Sequence, residues 1–254
     1  MLQELLATDV YLMTLVFARI GSAVMVLPGF GELTVPSRVR LGFALALSFV
    51  LFPLIAPALP AAPPALYAFF VLLIGEMLIG IAIGLIARLV VSSLQVAGTI
   101  IGFNNGLASA MLFDPNAGQQ GAVTGAFLSA LGVTMLFTTN MHHLMIRALV
   151  DSYALFIPGA ALPIGDFSEM ASHLVGESFL IGFQIALPIM IVGTVIYVAM
   201  GLMARLMPQL QVFFIALPVQ IVVGFSILAI MLGAGMMMFI DSFETAIGGF
   251  LVQP

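Results

Sequence analysis

Charge is what this 254-residue sequence has least of. Only 7% of its residues are charged, while 63% are apolar and the mean hydropathy is +1.27. Soluble domains carry about 25% charged residues and about 45–50% apolar ones. So few charges cannot cover the surface of a water-soluble globule. The surroundings of this chain are therefore largely lipid or other apolar protein.

Lysine and cysteine are absent as well. All six basic residues are arginines, they are scattered, and the formal net charge is −5, so nucleic acid is not an expected partner. The absence of cysteine excludes disulfides and thiolate metal sites. The acidic start, Met1 to Asp9, lacks the positive region and the cleavage site of a signal peptide, so we expect the first apolar stretch to remain in the mature protein.

Long apolar runs fill the sequence instead. A helix needs roughly 20 mostly apolar residues to cross a bilayer, and about six stretches meet that criterion. They predict an all-α, polytopic membrane protein of about six long, kinked hydrophobic helices arranged as hairpins. The stretches are Val10 to Leu27, Val39 to Leu59, the residues after Pro64 to about Val91 (an extension to Phe103 stays open), Ala122 to Phe137 (an extension to Phe156 stays open), Leu174 to Met207, and Val212 to Ile240.

Prolines lie inside several of these stretches, at Pro53, Pro57, Pro188 and Pro218. A proline removes one backbone donor and clashes with the preceding turn, so it kinks a helix. Irregular backbone at membrane depth is tolerated only where protein covers it or where it lines a cavity. We therefore expect one integral membrane domain over residues 1–254 that packs against partner subunits.

Six charged residues fall inside the apolar stretches. Each costs roughly 2.5–3.5 kcal/mol on insertion scales, so each marks either a proton or ion path or a structural ion pair. The residue types leave both interpretations open, and a position near the membrane interface is a further explanation. The six are Arg19, Glu76, Arg88, Arg147, Asp151 and Glu177.

Spacing relates some of these residues to one another. Arg147 and Asp151 are four apart and can pair on one helix face. A spacing of four also keeps Glu76, Gly80, Gly84 and Arg88 along one drifting helical stripe. The two glycines form a G-x-x-x-G contact that lets another backbone approach, either within the chain or in another subunit.

The sequence contains no recognisable catalytic or cofactor-binding motif. It lacks G-x-S-x-G, a P-loop and a dinucleotide fingerprint. The adjacent pair His142 and His143 does not suit a metal, because neighbouring helical residues point about 100° apart. We predict neither an enzyme nor a bound cofactor or metal.

One pattern occurs twice. Residues 82–89 and residues 199–206 both read A-x-G-L-x-A-R-L. Internal repeats of this kind occur in transport-type folds. Chance similarity in a chain rich in alanine, glycine and leucine is the other explanation.

The most polar insert runs from about Phe103 to Gly121. Its glycines and asparagines permit left-handed turns, yet its middle, Leu107 to Phe113, is apolar. An apolar-tipped loop at membrane depth must be buried in protein or line a cavity. A channel plug is one interpretation, and a re-entrant or surface loop that packs down is the other.

Several motifs, in matching order and spacing over essentially the whole chain, strongly resemble the FliR family of flagellar biosynthetic proteins. Gln211 departs mildly, since many relatives have asparagine there. The motifs are the link with Pro28, Gly29, Gly31, Glu32, Pro36, Arg38 and Arg40, the pair Glu76 and Gly80, the run from Gly106-Leu107-Ala108 to Asp114-Pro115, and Arg205-x-x-Pro208-Gln209-x-Gln211-Val212-Phe213.

The resemblance implies a core subunit of a type III protein-export gate that passes unfolded flagellar subunits. It implies FliP-type and FliQ-type gate partners, adjoining FlhB-type and FlhA-type proteins, and a place in the bacterial inner membrane at the flagellar basal body. The family is similar to the SctT-type proteins of injectisomes and to a fusion of its two gate partners. It also implies that residues 103–121 are the plug, with Leu107, Met111 and Phe113 as sealing residues and Asp114-Pro115 setting the turn.

Two other classes of protein remain open. A small secondary transporter would bind its substrate at an intramembrane site that includes Glu76 and Arg88. An assembly scaffold for other membrane proteins is the third class, and only an export assay separates it from a gate.

Overall fold

The computed structural model describes residues 2–106, 120–160, 164–207 and 212–251. Within these ranges all regular secondary structure is helical. A short 3₁₀ helix, Ala56–Ala58, follows the second α-helix. The α-helices are α1 Leu2–Val26, α2 Ser37–Ile55, α3 Leu66–Asn104, α4 Gln120–Thr138, α5 Met141–Leu155, α6 Ile164–Leu206 and α7 Val212–Gly248.

Five of these helices, α1, α2, α3, α6 and α7, contain segments long and apolar enough to cross a membrane. Helices α4 and α5 make a sixth candidate if the pair forms one broken span. The predicted all-α class with about six spans is therefore confirmed.

The two extensions left open by the sequence have different outcomes. The third stretch continues to Asn104 as one 39-residue helix. The fourth is broken at Asn140, whose φ of 62° lies in the left-handed region that asparagine tolerates better than most residues. Helical residues continue beyond the break to Leu155, as a separate helix.

The helix that contains the fifth stretch is longer than the apolar stretch predicted from Leu174. Helix α6 already begins at Ile164. A polar and acidic segment fails the hydropathy criterion, but an acidic residue such as Glu169 is favourable near the positive N-terminal end of a helix. Pro53, Pro188 and Pro218 lie inside α2, α6 and α7.

The chain divides into two compact units. The first comprises residues 1–89, 136–174 and 243–254, and the second comprises residues 90–135 and 175–242. In the first, α1 packs against α2, and its buried side chains share a cluster with Tyr153 of α5. In the second, Gly98 of α3 abuts Gly125 of α4, where a Cβ would lie 2.7 Å from the Thr124 carbonyl carbon. That the whole chain acts as one membrane domain stays a prediction.

Candidate functional site

Arg19 is the largest fully buried side chain described in the molecule. It lies in α1 among apolar neighbours such as Val16 and Ile20. A guanidinium there must find partners for its charge and for all five of its N–H groups.

Glu76 of α3 supplies the opposite charge. The Arg19 Nε donates to Glu76 Oε2 at 2.7 Å, and Nη2 donates to Oε1 at 3.0 Å. Both side chains are buried. This two-pronged arrangement is the strongest geometry available to an arginine and a carboxylate.

The end of α5 accepts the remaining Arg19 donors. Nη1 donates to the Ser152 carbonyl oxygen at 3.0 Å and to Ser152 Oγ at 3.2 Å, while Nη2 also donates to the Phe156 carbonyl oxygen at 3.0 Å. The Arg19 Cζ lies 3.9 Å from the centre of the Tyr153 ring, a cation–π distance. Because the last carbonyls of a helix carry its negative dipole end, Arg19 caps α5. The Ser152 carbonyl oxygen also accepts the Phe156 N–H at 2.8 Å.

Two glycines of α3 allow α1 close enough for this contact. A Cβ on Gly80 would overlap the Arg19 carbonyl oxygen and the Ser22 hydroxyl. A Cβ on Gly84 would lie 2.8 Å from the Val26 Cβ. The G-x-x-x-G contact predicted from the sequence is thus made within the chain, between α1 and α3.

Arg88, one turn beyond Gly84, caps a second helix. Its Nη1 donates to the carbonyl oxygen of Val26, the last residue of α1, at 3.3 Å. Its Nη2 lies 4.0 Å from Glu32 Oε2, and the Arg88 side chain is 45% exposed. The α1–α2 link is therefore tied to α3 through Glu32.

The other link residues named by the sequence surround this contact. Gly29 has a φ of 82°, and a Cβ on Gly31 would lie 3.1 Å from the Leu27 carbonyl oxygen. Pro36 precedes the first turn of α2. Arg38 is exposed and Arg40 is partly buried, so these two arginines do not join the Arg19 cluster.

Two further predictions concern residues on α5. Arg147 Nε lies 3.6 Å from Asp151 Oδ2, which confirms the pair expected from their spacing. His142 stacks on Phe137 with ring centres 5.2 Å apart, and His143 lies beside it. In the part of the chain that the structure describes, no three potential metal-ligating side chains come together.

The predicted plug residues Leu107, Met111, Phe113, Asp114 and Pro115 lie outside the described residues, as does Pro208. The structure does describe the first residues of the insert, Asn104 to Gly106, which we call its root. Gly106 ends it with a φ of 73°, which a side chain would strain.

A cluster of amide side chains holds this root. The Gln220 Nε2 of α7 donates to the Asn104 carbonyl oxygen at the end of α3. Asn105 and Gln220 are both buried. Gly224 of α7 leaves room for the Asn105 amide, and a Cβ on Gly193 of α6 would lie 3.0 Å from Asn104 Oδ1. Helices α6 and α7 thus hold the point where the insert leaves α3.

The sequence reasoning missed Ser152, Tyr153 and Gln220. No sequence pattern indicates Ser152 or Tyr153, because Ser152 acts partly through its backbone carbonyl and Tyr153 acts through the face of its ring. Gln220 does carry one: it is a lone amide in the apolar run of α7, four residues before Gly224 and on the same helix face.

Comparison with known proteins places the chain among bacterial exporters. The family model "Bacterial export proteins, family 1" matches residues 10–246. The chain is 38% identical to the flagellar biosynthetic protein FliR of Caulobacter vibrioides over 94% of this chain and 95% of that protein. It is 32% identical to FliR of Bacillus subtilis, over 85% and 84%. A more distant relative is the Yop proteins translocation protein T of Yersinia pestis, 25% identical over 91% and 89%.

The match to the family model covers most of the chain, and the flagellar relatives are similar over nearly their full lengths. The motif residues Glu76 and Gly80 lie against α1 at the buried Arg19 cluster, whereas Glu32 faces Arg88 at a partly exposed contact. This chain belongs to the bacterial export proteins of family 1, and within them to the FliR family.

Proposed function

We propose that this chain is a core subunit of the flagellar type III protein-export gate and forms part of the channel that passes unfolded flagellar subunits. The observation that carries the proposal is the family match over residues 10–246. Its partners are FliP-type and FliQ-type gate subunits, with FlhB-type and FlhA-type proteins beside them. Its place is the bacterial inner membrane, in the flagellar basal body.

The helix surfaces suit such an assembly. Large apolar side chains remain exposed along α2, α6 and α7, among them Phe49, Val195 and Ile230. Lipid covers part of these surfaces in a membrane, and neighbouring subunits cover the rest. The gate moves proteins without chemistry of its own, so neither a catalytic group nor a cofactor is required.

The insert of residues 103–121 is the plug in this proposal. Support comes from its root, where Gln220 and the glycines of α6 and α7 fix the end of α3. A sealing loop needs such a fixed base, because its apolar residues must return to the same place after each opening.

The geometry weakens the alternative of a small secondary transporter. A substrate site needs charged groups that the protein itself has not already paired or hydrogen-bonded. The Arg19 guanidinium holds Glu76 at both carboxylate oxygens, and Arg88 caps α1. We therefore interpret these charges as structural rather than as a proton or substrate path.

Co-expression of the tagged chain with the FliP-type and FliQ-type proteins of its organism tests the proposal. The complex is purified in mild detergent and weighed by native mass spectrometry. A heteromeric complex that contains this chain is the expected result. A stable monomer or homodimer, formed while both partners are present in the membrane, contradicts the gate.

A further inference from the structure

The repeated pattern A-x-G-L-x-A-R-L occurs once in α3 and once in α6. The alignment of residues 82–89 with 199–206 places Gly84 opposite Gly201 and Arg88 opposite Arg205. Both copies are helical throughout. Their surroundings can therefore be compared position by position.

The first copy holds the end of α1. Gly84 leaves no room for a Cβ against Val26, and Arg88 donates to the Val26 carbonyl oxygen while it faces Glu32. The glycine permits close backbone approach, and the arginine neutralises the negative end of the helix. Together they form a receptor for the C-terminal end of a membrane helix.

The second copy presents the same groups with nothing described against them. A Cβ on Gly201 meets no atom of the described chain within 4 Å. Arg205, in the last turn of α6, is exposed and makes no hydrogen bond or ion pair with the described residues. Ala204 is exposed beside them, whereas its counterpart Ala87 in the first copy is fully buried.

We propose that Gly201 and Arg205 bind the C-terminal end of a membrane helix of a neighbouring export-gate subunit, as Gly84 and Arg88 bind α1. The matching partner ends in free backbone carbonyls, has small or β-branched residues in its last turn, and carries an acidic residue shortly after it. The inference rests on the proposed function, because a gate supplies such subunits.

A helix end suits this site better than lipid. A lipid phosphate can also pair with Arg205, but a glycine adds nothing to a contact with acyl chains. Opposite a helix, the same glycine allows the backbone to approach closely. The first copy uses both groups together in this way.

The second copy departs from the first in the preceding turns. Tyr197 stands where Gly80 stands in α3, and Gly193 stands where Glu76 stands. The partner helix therefore approaches α6 closely over one turn only, at Gly201, and has no counterpart of the buried Arg19–Glu76 pair. Such a limited contact suits a subunit that joins after the chain has folded.

A photo-crosslinking amino acid at Tyr197, which aligns with the α1-facing Gly80, tests the inference in the chain co-expressed with its FliP-type and FliQ-type partners. We expect an adduct with one of these partners, mapped by mass spectrometry to the C-terminal turn of a membrane helix. Arg205→Gln should lower the adduct yield about tenfold, the change that loss of one charge-assisted hydrogen bond makes in an equilibrium constant. A probe at Ala204, which lies on the same helix face as Gly201, repeats the test if the first variant is not produced.

The outcomes separate the inference from the proposed function. Adducts only with lipid, with a second copy of this chain, or with another part of a partner overturn the inference, while a co-purified complex keeps the gate. An adduct yield that Arg205→Gln leaves unchanged overturns it as well. Failure of the unsubstituted chain to form any complex removes both.

Discussion

Arg19 and Arg88 both cap the end of a helix, but they differ in how deeply they are buried. Arg19 caps α5 and Arg88 caps α1, each through carbonyl oxygens at the C-terminal end of the helix, where its negative dipole end lies. Arg19 is fully buried and also needs the opposite charge of Glu76. Arg88 is partly exposed, and its Nη2 lies 4.0 Å from Glu32 Oε2. Burial therefore decides how much each side chain matters for stability.

Loss of one member of the buried pair should destabilise the chain strongly. Glu76→Gln leaves the Arg19 charge uncompensated in an apolar surrounding, and we expect a cost of about 3–5 kcal/mol. Thermal unfolding of the purified chain in detergent measures it. Arg88→Gln is the matched control and should cost at most about 1 kcal/mol, since its ion pair is exposed and long.

A double substitution separates charge from packing in the same cluster. Arg19→Met with Glu76→Leu removes both charges together and keeps apolar volume. Replacement of a whole buried pair is often neutral or stabilising, so most of the loss seen in Glu76→Gln should return. A double variant as unstable as the single one would show that the capping of α5, rather than charge balance, dominates.

At the scale of the helices, Gly80 sets the distance between α1 and α3. A methyl group there meets the Arg19 carbonyl oxygen, which belongs to rigid backbone. We expect Gly80→Ala to destabilise the detergent-solubilised chain by about 1–3 kcal/mol, as overpacking does. Gly42→Ala in α2 is the control, because a Cβ there meets nothing described within 4 Å and alanine favours the helix by roughly 0.5–1 kcal/mol.

The contact between α7 and the root of the insert also belongs to the scale of the helices. Gln220→Leu removes the donor to the Asn104 carbonyl oxygen. We expect faster amide hydrogen exchange at the end of α3, near Asn104 to Gly106, than in the parent chain. Ser226→Ala is the control, because among the described residues its hydroxyl bonds only to the Val222 carbonyl oxygen of its own helix. Equal exchange in both variants would mean that Gln220 does not hold the root.

Local sequence patterns predict much of where the helices lie but little of how the helices contact one another. Hydropathy is enough to place α3 from after Pro64 to about Val91, and a spacing of four is enough to pair Arg147 with Asp151. The partner of Arg19 lies 57 residues away, and its other acceptors are backbone atoms of α5. Such a cluster exists only once three helices have met, so no short window of sequence contains it.

At the scale of the whole molecule, the two compact units carry different kinds of site. The first contains the Arg19–Glu76 cluster, where each charge is matched within the chain. The second contains the root of the insert and the open copy of the repeated pattern, Gly201 and Arg205. The buried charge cluster thus lies in one unit, and the sites proposed for gating and for partner binding lie in the other.

The proposed plug predicts that the assembled gate leaks ions once the apolar part of the insert is lost. Deletion of Leu107–Phe113 in the assembled gate should make the channel leaky to small ions, because the apolar seal is lost while the root at Asn104 stays fixed. Ion flux into vesicles that contain the purified complex measures the leak. Replacement of the same residues by an equally long Gly-Ser segment should leak too, since sealing depends on apolar side chains and not on loop length. Unchanged flux in both variants contradicts the plug and leaves the family and the gate assignment intact.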